Sequence, residues 1–363
     1  MHYELCRLKM NEIYSLQVFR GLAAVMVLLA HSNIMLNKTL FSGSFIPGYI
    51  GVDFFFVLSG FIIMLTCKKH IGSGEISDYV RKRVFRVFPP YIIYTVLAFL
   101  VSYTYEQLTG TRLIYWIYIN AQNFFQSISL YPFSADKTRL PILPVAWTLT
   151  HEMLFYALFA GLFYVKNKVG IILIAAVWLL LIVVTPSLNI SGNNYLLDVF
   201  LSSRNIEFII GCVMAYYASH YVDWKISTAA LICGAAMLVV SWSNTLSGSS
   251  ITTLSDWAVY GIPFAMIIFG ATRLERFIHN KEGKVFRFLV YLGDASYSIY
   301  LVHFIVIMMC KRTINDLGME YGYAEFWITS AIALVVILAM YELIEEPMIR
   351  WFNRAKTQPL TTA

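Results

Sequence analysis

The sequence predicts an all-α fold, a polytopic membrane bundle of about ten transmembrane helices with both termini in the cytoplasm. Hydrophobic residues make up 59% of the 363 residues and charged residues only 13%. An average soluble chain carries about 25% charged residues. A soluble fold of this size has too little interior to bury so many apolar side chains, so lipid must cover the rest. The composition therefore excludes a cytosolic enzyme, a disordered protein and a secreted disulfide scaffold.

Ten apolar runs along the chain are candidate spans. The first is too long for the apolar region of a cleaved signal peptide and lacks a small-residue cleavage site, so we expect it to remain as a helix. We expect one membrane domain over residues 1–350, followed by a short cytoplasmic tail at 351–363. The ten runs lie near Leu16–Leu36, Ile46–Cys67, Pro90–Tyr105, Ala146–Val165, Gly170–Thr185, Ile206–Tyr221, Ser227–Trp242, Trp257–Thr272, Tyr297–Cys310 and Phe326–Ile344.

A further segment, Leu113–Phe133, is rich in aromatic residues but is interrupted by amide side chains. With ten spans and the N-terminus inside, 19 of the 27 lysines and arginines fall in cytoplasmic segments. An eleventh span here would move the last eleven of those 19 to the outer face, whereas cytoplasmic loops are normally the positive ones. We therefore predict an interfacial or re-entrant segment with its aromatic side toward the lipid headgroups.

The chain has a net charge of +6. Because its basic residues concentrate in the predicted cytoplasmic segments, we interpret this charge as a sign of membrane topology, and we predict membrane lipid, and no nucleic acid, as the partner of these residues. The five cysteines are odd in number, and none forms a C-x-x-C pair. Three of them lie inside apolar runs, where cysteine behaves as a small hydrophobe. We predict no structural disulfide and no metal site. The cysteines are Cys6, Cys67, Cys212, Cys233 and Cys310.

The first span carries two ionisable residues, Arg20 and His31. Eleven helical steps of 100° end about 20° beyond three full turns, so both side chains project from one face, with a rise of roughly 16 Å between them. An ionisable residue inside a span is costly and therefore a functional candidate. The alternative is an arginine that reaches the cytoplasmic headgroups and a histidine that is hydrogen-bonded within the bundle.

Two carboxylates approach the outer level at which His31 is expected. Asp53 opens the second span, where it could instead act as a helix N-terminal cap. Glu152 lies in the first turns of the fourth span and is followed by four apolar or aromatic residues, so we expect it to point into the bundle. A carboxylate beside a histidine fixes its tautomer and raises its basicity, as general-base chemistry requires.

Other ionisable residues have a structural interpretation. His303, near mid-membrane, is interpreted as a hydrogen-bonded structural histidine, and the acidic group Glu342, Glu345 and Glu346 as an anchor at the end of the last span.

Two arginines, Arg83 and Arg86, lie three residues apart on one helical face at the cytoplasmic side. They suit anionic lipid headgroups. They equally suit the phosphates of a nucleotide-bearing cofactor, because guanidinium groups bind phosphate with two parallel hydrogen bonds.

Seven short motifs occur along the chain, each weakly specific alone. They read FRGLAAVMVLLAH, GVDFFFVLSGF, RKRVFRVFPPY, VAWTLTHEMLFY, RNIEFIIG, LGDASYSIYLVH and YELIEEP. In this order, nearly end to end, they are highly specific. The chain resembles the acyltransferase-3 family of integral membrane acyltransferases, which includes bacterial O-antigen and exopolysaccharide O-acetyltransferases.

The resemblance implies transfer of an acyl group, usually acetyl from acetyl-CoA, to a hydroxyl of a cell-surface glycan or its lipid-linked precursor. The family's arginine-to-histidine motif falls on Arg20 and His31, and its paired-arginine motif on Arg83 and Arg86. The family's W-S-L-S-x-E motif ends on Glu152, with threonine in place of both serines, so a hydroxyl is kept at each position.

These features together predict an O-acyltransferase of the bacterial cytoplasmic (inner) membrane that modifies a lipopolysaccharide or an exopolysaccharide. The pantetheine arm of the CoA thioester would run up the bundle from the arginines to a histidine base. We expect no appended soluble esterase-like domain, so transfer would be completed within the membrane unit. The predicted donor-binding residues are Arg20, Arg83 and Arg86, and the predicted catalytic residues are His31, Glu152 and Asp53, with no metal.

Two other classes remain open at this point. A transporter or flippase of a lipid-linked glycan or acyl group also has many helices and buried charges, but it should show inverted repeats or paired broken helices, which we do not find in the sequence. A non-catalytic membrane scaffold would not need Arg20 and His31 on one face.

Overall fold

The computed structural model describes residues 13–37, 40–130, 140–185, 195–218, 223–247, 256–275 and 283–357. Within these ranges the chain is helical and contains no strand, as predicted. The helices are α1 (Tyr14–Asn37), α2 (Gly51–Cys67), α3 (Ser77–Thr109), α4 (Ala121–Ser129), α5 (Trp147–Gly161), α6 (Lys168–Val184), α7 (Tyr195–Phe200), α8 (Arg204–Ala218), α9 (Trp224–Leu246), α10 (Ile262–Leu274), α11 (Lys284–Asp294), α12 (Ser296–Asp316), α13 (Tyr323–Met340) and α14 (Glu346–Thr357).

Eight helical stretches in the described ranges are long and apolar enough to cross a bilayer. Each overlaps one predicted span, so the polytopic helical bundle is confirmed. The two remaining predicted spans correspond to shorter helices, α6 with 17 residues and α8 with 15. The predicted end of the second of these, Tyr221, lies outside the described residues. The eight stretches are Tyr14–Asn37, Pro47–His70, Ser77–Thr109, Pro144–Tyr164, Trp224–Leu246, Trp257–Leu274, Ser296–Asp316 and Tyr323–Phe352.

The described part of the ambiguous segment 113–133 contains only the nine-residue helix α4. Nine residues rise about 14 Å, less than half of the hydrocarbon thickness, so α4 is not an eleventh span. The side chain of Asn120 caps its start by accepting from the backbone N–H of Asn123. The hydroxyl of Tyr91 on α3 donates to the carbonyl of Ser127 at 2.5 Å and ties α4 to the bundle. Residues 131–133 lie outside the described ranges, and the headgroup position stays a prediction.

Helices α2 and α8 cross in backbone contact through two glycines. A Cβ on Gly60 would lie 2.0 Å from the carbonyl oxygen of Phe208, and one on Gly211 would lie 2.0 Å from that of Val57. Small residues at such crossings let membrane helices approach closely where lipid gives no hydrophobic drive for association. A second crossing of this kind brings α1 against α11, where a Cβ on Gly293 would lie 2.0 Å from the carbonyl oxygen of Gln17.

The start of α1 is fixed by a buried carboxylate from the end of α10. Glu275 accepts from the backbone N–H groups of Tyr14 at 3.1 Å and Ser15 at 2.9 Å. These N–H groups have no partner within the helix, and the negative charge suits the helix N-terminus. The contact places the start of α1 and the end of α10 at one face of the bundle, as the predicted topology requires.

The last predicted span, Phe326–Ile344, continues beyond its predicted end. A π-helical turn at Tyr341–Glu345 joins α13 to α14, and Phe352 stacks on Phe85 of α3 with ring centroids 4.7 Å apart. The helix therefore reaches into the expected tail, of which residues 358–363 lie outside the described ranges. The division into 1–350 and 351–363 stays a prediction.

The glycine crossing of α2 and α8 yields a stability prediction. Replacing Gly211 by alanine would force the two helices apart, because the new Cβ would also lie 2.8 Å from the backbone nitrogen of Phe61. We expect a loss of about 1–3 kcal/mol, as for other overpacked interiors, measured as thermal unfolding of the detergent-solubilised protein.

Gly161 provides the matched control, since a Cβ there has no heavy atom within 4 Å. Gly161→Ala should leave the unfolding temperature unchanged or slightly raised. Equal unfolding temperatures for the Gly211 and Gly161 variants would contradict the proposed close crossing.

Candidate active site

Five helices, α1, α2, α3, α5 and α12, line a cavity that is partly open to solvent. Its wall is mixed, with apolar and aromatic side chains between a few polar groups. This is the usual character of a site for an organic ligand with charged groups. The polar and charged side chains that line it are Arg20, Ser59, Arg83, Arg86, Thr148, Glu152, Tyr156, Ser296, Tyr297 and Tyr300.

All three arginines that the sequence assigned to donor binding line this cavity. Arg20 on α1 donates to the side-chain oxygen of Gln17 at 2.8 Å. The guanidinium group of Arg83 lies 5.6 Å from the ring centroid of Tyr79 and 5.3 Å from that of Tyr156. Arg86 lies one turn further along α3 and is exposed.

None of these three guanidinium groups forms an ion pair within the described ranges. The Nε atom of Arg83 is buried without a hydrogen-bond partner there. Guanidinium groups with free donors are favourable partners for phosphate, which they can grip with two parallel hydrogen bonds. The cavity therefore has the charge and the donors of an anion site.

Glu152 lies in the wall of the same cavity, on the side of the arginines. Its Oε1 accepts from the hydroxyl of Ser59 at 3.2 Å and from the hydroxyl of Tyr156. The structure gives Glu152 these two partners and no contact with His31, so the predicted contact between Glu152 and His31 is not found, and the catalytic assignment of Glu152 stays a prediction. The physical reason is that α2 and the next turn of α5 supply both of its partners.

Asp53 has a different partner as well. Its carboxylate is buried and accepts from Nη1 of Arg204 on α8 at 2.6 Å. Arg204 also lies 3.7 Å from Asp256 and stacks over the ring of Trp147, 5.3 Å from its centroid. Asp53 therefore joins α2 to α8 and neither contacts His31 nor caps its own helix. The predicted contact between Asp53 and His31 is likewise not found, because the carboxylate pairs with Arg204, and the catalytic assignment of Asp53 stays a prediction.

The partner of His31 is His303. The Nδ1 atom of His31 lies 2.9 Å from the carbonyl oxygen of Val27 and 3.3 Å from Nε2 of His303. The two imidazole rings are 4.9 Å apart, and the ring of Phe304 lies 5.6 Å from that of His31. His31 is partly exposed, whereas His303 is completely buried.

The cavity reaches to within one helical turn of this histidine pair. Tyr300 lines the cavity, and its ring lies 6.1 Å from that of His303 on the same helix. Its hydroxyl bonds with the hydroxyl of Thr148 at 2.8 Å and with the carbonyl oxygen of Val145 at 3.2 Å. The threonine at this motif position thus uses the hydroxyl that a serine would supply.

Glu345 makes contacts of the kind expected for a helix-end anchor. Its buried carboxylate accepts from the backbone N–H of Ser298 at 3.1 Å and from the hydroxyl of the same serine. That hydroxyl also contacts the hydroxyl of Tyr94 at 2.6 Å. The start of α12, which forms part of the cavity wall, is thereby held against α3.

Sequence reasoning missed two polar groups of the cavity, Ser59 and Tyr156, which hold Glu152. Tyr156 follows Glu152 by four residues, the spacing at which helical side chains meet. Ser59 is a polar residue in the apolar run GVDFFFVLSGF. Both signals were present in the sequence, but neither says which neighbouring helix the side chain meets.

Comparison with known proteins identifies the family of the chain. The family model described as an acyltransferase domain, acyltransferase 3, matches residues 13–344. The exopolysaccharide production protein ExoZ of Rhizobium meliloti is 26% identical over 316 residues, which cover 84% of this chain and 91% of ExoZ. The acyltransferase MdmB of Streptomyces mycarofaciens is 24% identical over 344 residues, 87% of this chain and 84% of that protein.

A third relative is longer. The peptidoglycan O-acetyltransferase OatA of Listeria monocytogenes is 24% identical over 368 residues, which cover 92% of this chain but only 55% of OatA. No solved structure matches the chain. Because the family model covers nearly the whole sequence, the chain belongs to the acyltransferase-3 family and is a membrane acyltransferase.

Proposed function

We propose that this acyltransferase moves an acyl group, most simply acetyl, from cytoplasmic acyl-CoA to a hydroxyl of a cell-surface glycan or its lipid-linked precursor, in the bacterial inner membrane. The observation that carries the proposal is one cavity lined by three arginines without an ion pair in the described ranges, whose wall residue Tyr300 lies within one helical turn of the histidine pair. The relatives named for exopolysaccharide production and for peptidoglycan O-acetylation support a glycan as acceptor.

The donor half of the proposal rests on Arg20, Arg83 and Arg86. CoA carries phosphate groups at one end and a thioester at the end of a flexible pantetheine arm. Phosphates bound at the predicted cytoplasmic end would satisfy the free guanidinium donors. The apolar wall between Val52 and Ile62 of α2 would then cover the arm. The rise of roughly 16 Å from Arg20 to His31 is compatible with an extended arm.

The chemical half rests on His31. A carbonyl oxygen can only accept, so the bond to Val27 requires that Nδ1 of His31 carries the proton. In the neutral ring Nε2 then holds a lone pair. That atom can take the proton of an acceptor hydroxyl as its oxygen attacks the thioester carbonyl, the step in which a general base acts.

Glu152 receives a different role from the one expected from the sequence. Its carboxylate holds the hydroxyl of Tyr156, and the ring of Tyr156 lies beside the guanidinium group of Arg83. We therefore place Glu152 with the donor site, where it keeps the aromatic wall in position against Arg83. Asp53 has no direct part in the proposed reaction.

The first prediction concerns His31. His31→Ala should lower acyl transfer by about 10²–10⁴-fold, the usual contribution of a general base, while the protein remains folded. The measurement is release of free CoA thiol from acetyl-CoA by purified protein with glycan. His70→Ala, at an exposed histidine beyond the end of α2, is the control and should keep full activity. Near-normal turnover by His31→Ala would remove His31 from the reaction.

The second prediction concerns donor affinity. Lysine keeps the charge of arginine but loses its planar fork, so Arg83→Lys and Arg86→Lys should each raise the donor KM about tenfold with little change in kcat. Arg81→Lys is the matched control on the same helix, because Arg81 is exposed and pairs with Asp78. Unchanged donor KM in the Arg83 and Arg86 variants would leave these residues as topology anchors.

The third prediction separates the two roles of Glu152. Glutamine retains an oxygen that can accept from Tyr156 and Ser59, so Glu152→Gln should keep kcat within about threefold of the native value. Glu152→Ala loses both bonds and should raise the donor KM about tenfold, equivalent to about 1.4 kcal/mol. A fall in kcat of about 10²-fold in Glu152→Gln, at unchanged donor KM, would instead support Glu152 as the partner of the base.

A further inference from the structure

The one buried imidazole in contact with His31 has no part in the reaction described so far. His303 lies in the middle of α12 and is 0% exposed. Its Nδ1 lies 2.9 Å from the carbonyl oxygen of Ile299, one turn earlier, and its Nε2 lies 3.3 Å from Nδ1 of His31. A histidine that only fills space in an apolar interior needs no second polar partner on another helix.

The bonding partners determine where the protons lie. The carbonyl oxygen of Ile299 can only accept, so Nδ1 of His303 carries a proton and Nε2 of the neutral ring carries a lone pair. That lone pair faces Nδ1–H of His31, which also donates to Val27. The N–H of His31 is therefore shared between a carbonyl oxygen and the buried imidazole nitrogen.

We infer that His303 is the positioning residue of the acyl transfer: it accepts from Nδ1–H of His31, holds the tautomer and ring orientation of His31 together with the carbonyl of Val27, and leaves Nε2 of His31 as the base. This inference rests on the proposed function, in which His31 takes the proton of the acceptor hydroxyl. The imidazole of His303 supplies the support that the sequence assigned to a carboxylate.

The proton balance of the step is complete. Nε2 of His31 takes the proton of the acceptor hydroxyl while the hydroxyl oxygen bonds to the thioester carbonyl carbon. As the carbon–sulfur bond breaks, the sulfur of CoA leaves with the electron pair and receives that proton from Nε2. While His31 is positively charged, its Nδ1–H bond to His303 is charge-assisted and therefore stronger than in the resting ring. His303 gains and loses no proton.

Two substitutions of His303 distinguish a role as hydrogen-bond acceptor for His31 from a role in packing alone. Phenylalanine preserves the ring and suits the aromatic neighbours Phe304 and Tyr300, but it cannot accept from His31. Glutamine packs less well, but its carbonyl oxygen can accept. We expect His303→Phe to lower kcat about 10²-fold with donor and acceptor KM unchanged, and His303→Gln to remain within about tenfold of the native kcat.

His151 is the matched control. It is also buried, also bonds through Nδ1 to a carbonyl oxygen one turn earlier, that of Trp147, and packs against the aromatic ring of Phe56. It does not contact His31. The Phe and Gln substitutions at His151 should show no advantage of Gln over Phe in kcat. If His303 only packs, its variants should behave like those of His151, with no advantage of Gln over Phe. A kcat of His303→Phe equal to or above that of His303→Gln therefore overturns the inference.

A second measurement on the native protein does not depend on how the His303 variants fold. Nitrogen-15 labelling of the seven histidines, with the His31 signals identified by their loss in His31→Ala, reports the tautomer directly. We expect a protonated Nδ1 and an unprotonated Nε2 for His31. The opposite tautomer overturns the inference even when His31→Ala is inactive. Full activity of His31→Ala would instead overturn the proposed function itself.

Discussion

Three guanidinium groups line one cavity, and none of them is paired with a carboxylate in the described part of the chain. This unpaired positive charge is the constraint around which the rest of the site is arranged. Charge inside a membrane is costly unless it is paired or faces water. Two other buried carboxylates have partners, since Asp53 pairs with Arg204 and Glu345 accepts from the start of α12. The cavity beside Arg20 is different because its positive charge faces open space, which a ligand phosphate can occupy.

The ion pair of Asp53 and Arg204 depends on the glycine crossing of their two helices. Asp53 lies seven residues before Gly60 on α2, and Arg204 lies seven residues before Gly211 on α8. Seven steps of 100° fall 20° short of two turns, so each charged residue lies on the same face as its glycine. The predicted topology makes α2 and α8 parallel. The register that brings the two glycines into contact with the opposite helix therefore also brings Asp53 next to Arg204. The carboxylate of Asp53 therefore pairs with Arg204 and not with His31.

Sequence patterns predicted the features that depend on a single helix, namely its position in the chain and which residues share a face. Hydropathy located the spans, and the eleven-residue spacing of Arg20 and His31 placed both on the face of α1 that meets the cavity and α12. The paired arginines of α3 were likewise assigned to one site, and all three arginines line one cavity. The partners across helices were not predicted, because hydropathy and spacing do not specify which faces of different helices meet. His303 is 272 residues from His31, and no local pattern connects them.

An imidazole as the partner of His31 has an electrostatic advantage over a carboxylate. A carboxylate beside His31 would be a further charge that has to be taken out of water, whereas Glu152 lies with the arginines in the cavity. A neutral imidazole accepts the same hydrogen bond without a net charge, so it carries a much smaller desolvation cost away from water. With a neutral imidazole as its partner, His31, the proposed base, keeps a defined tautomer. The guanidinium groups of the cavity have no ion pair in the described ranges and can bind an anion. In the proposed mechanism, the three arginines of the cavity bind the donor, and the uncharged histidine pair serves the proton transfer.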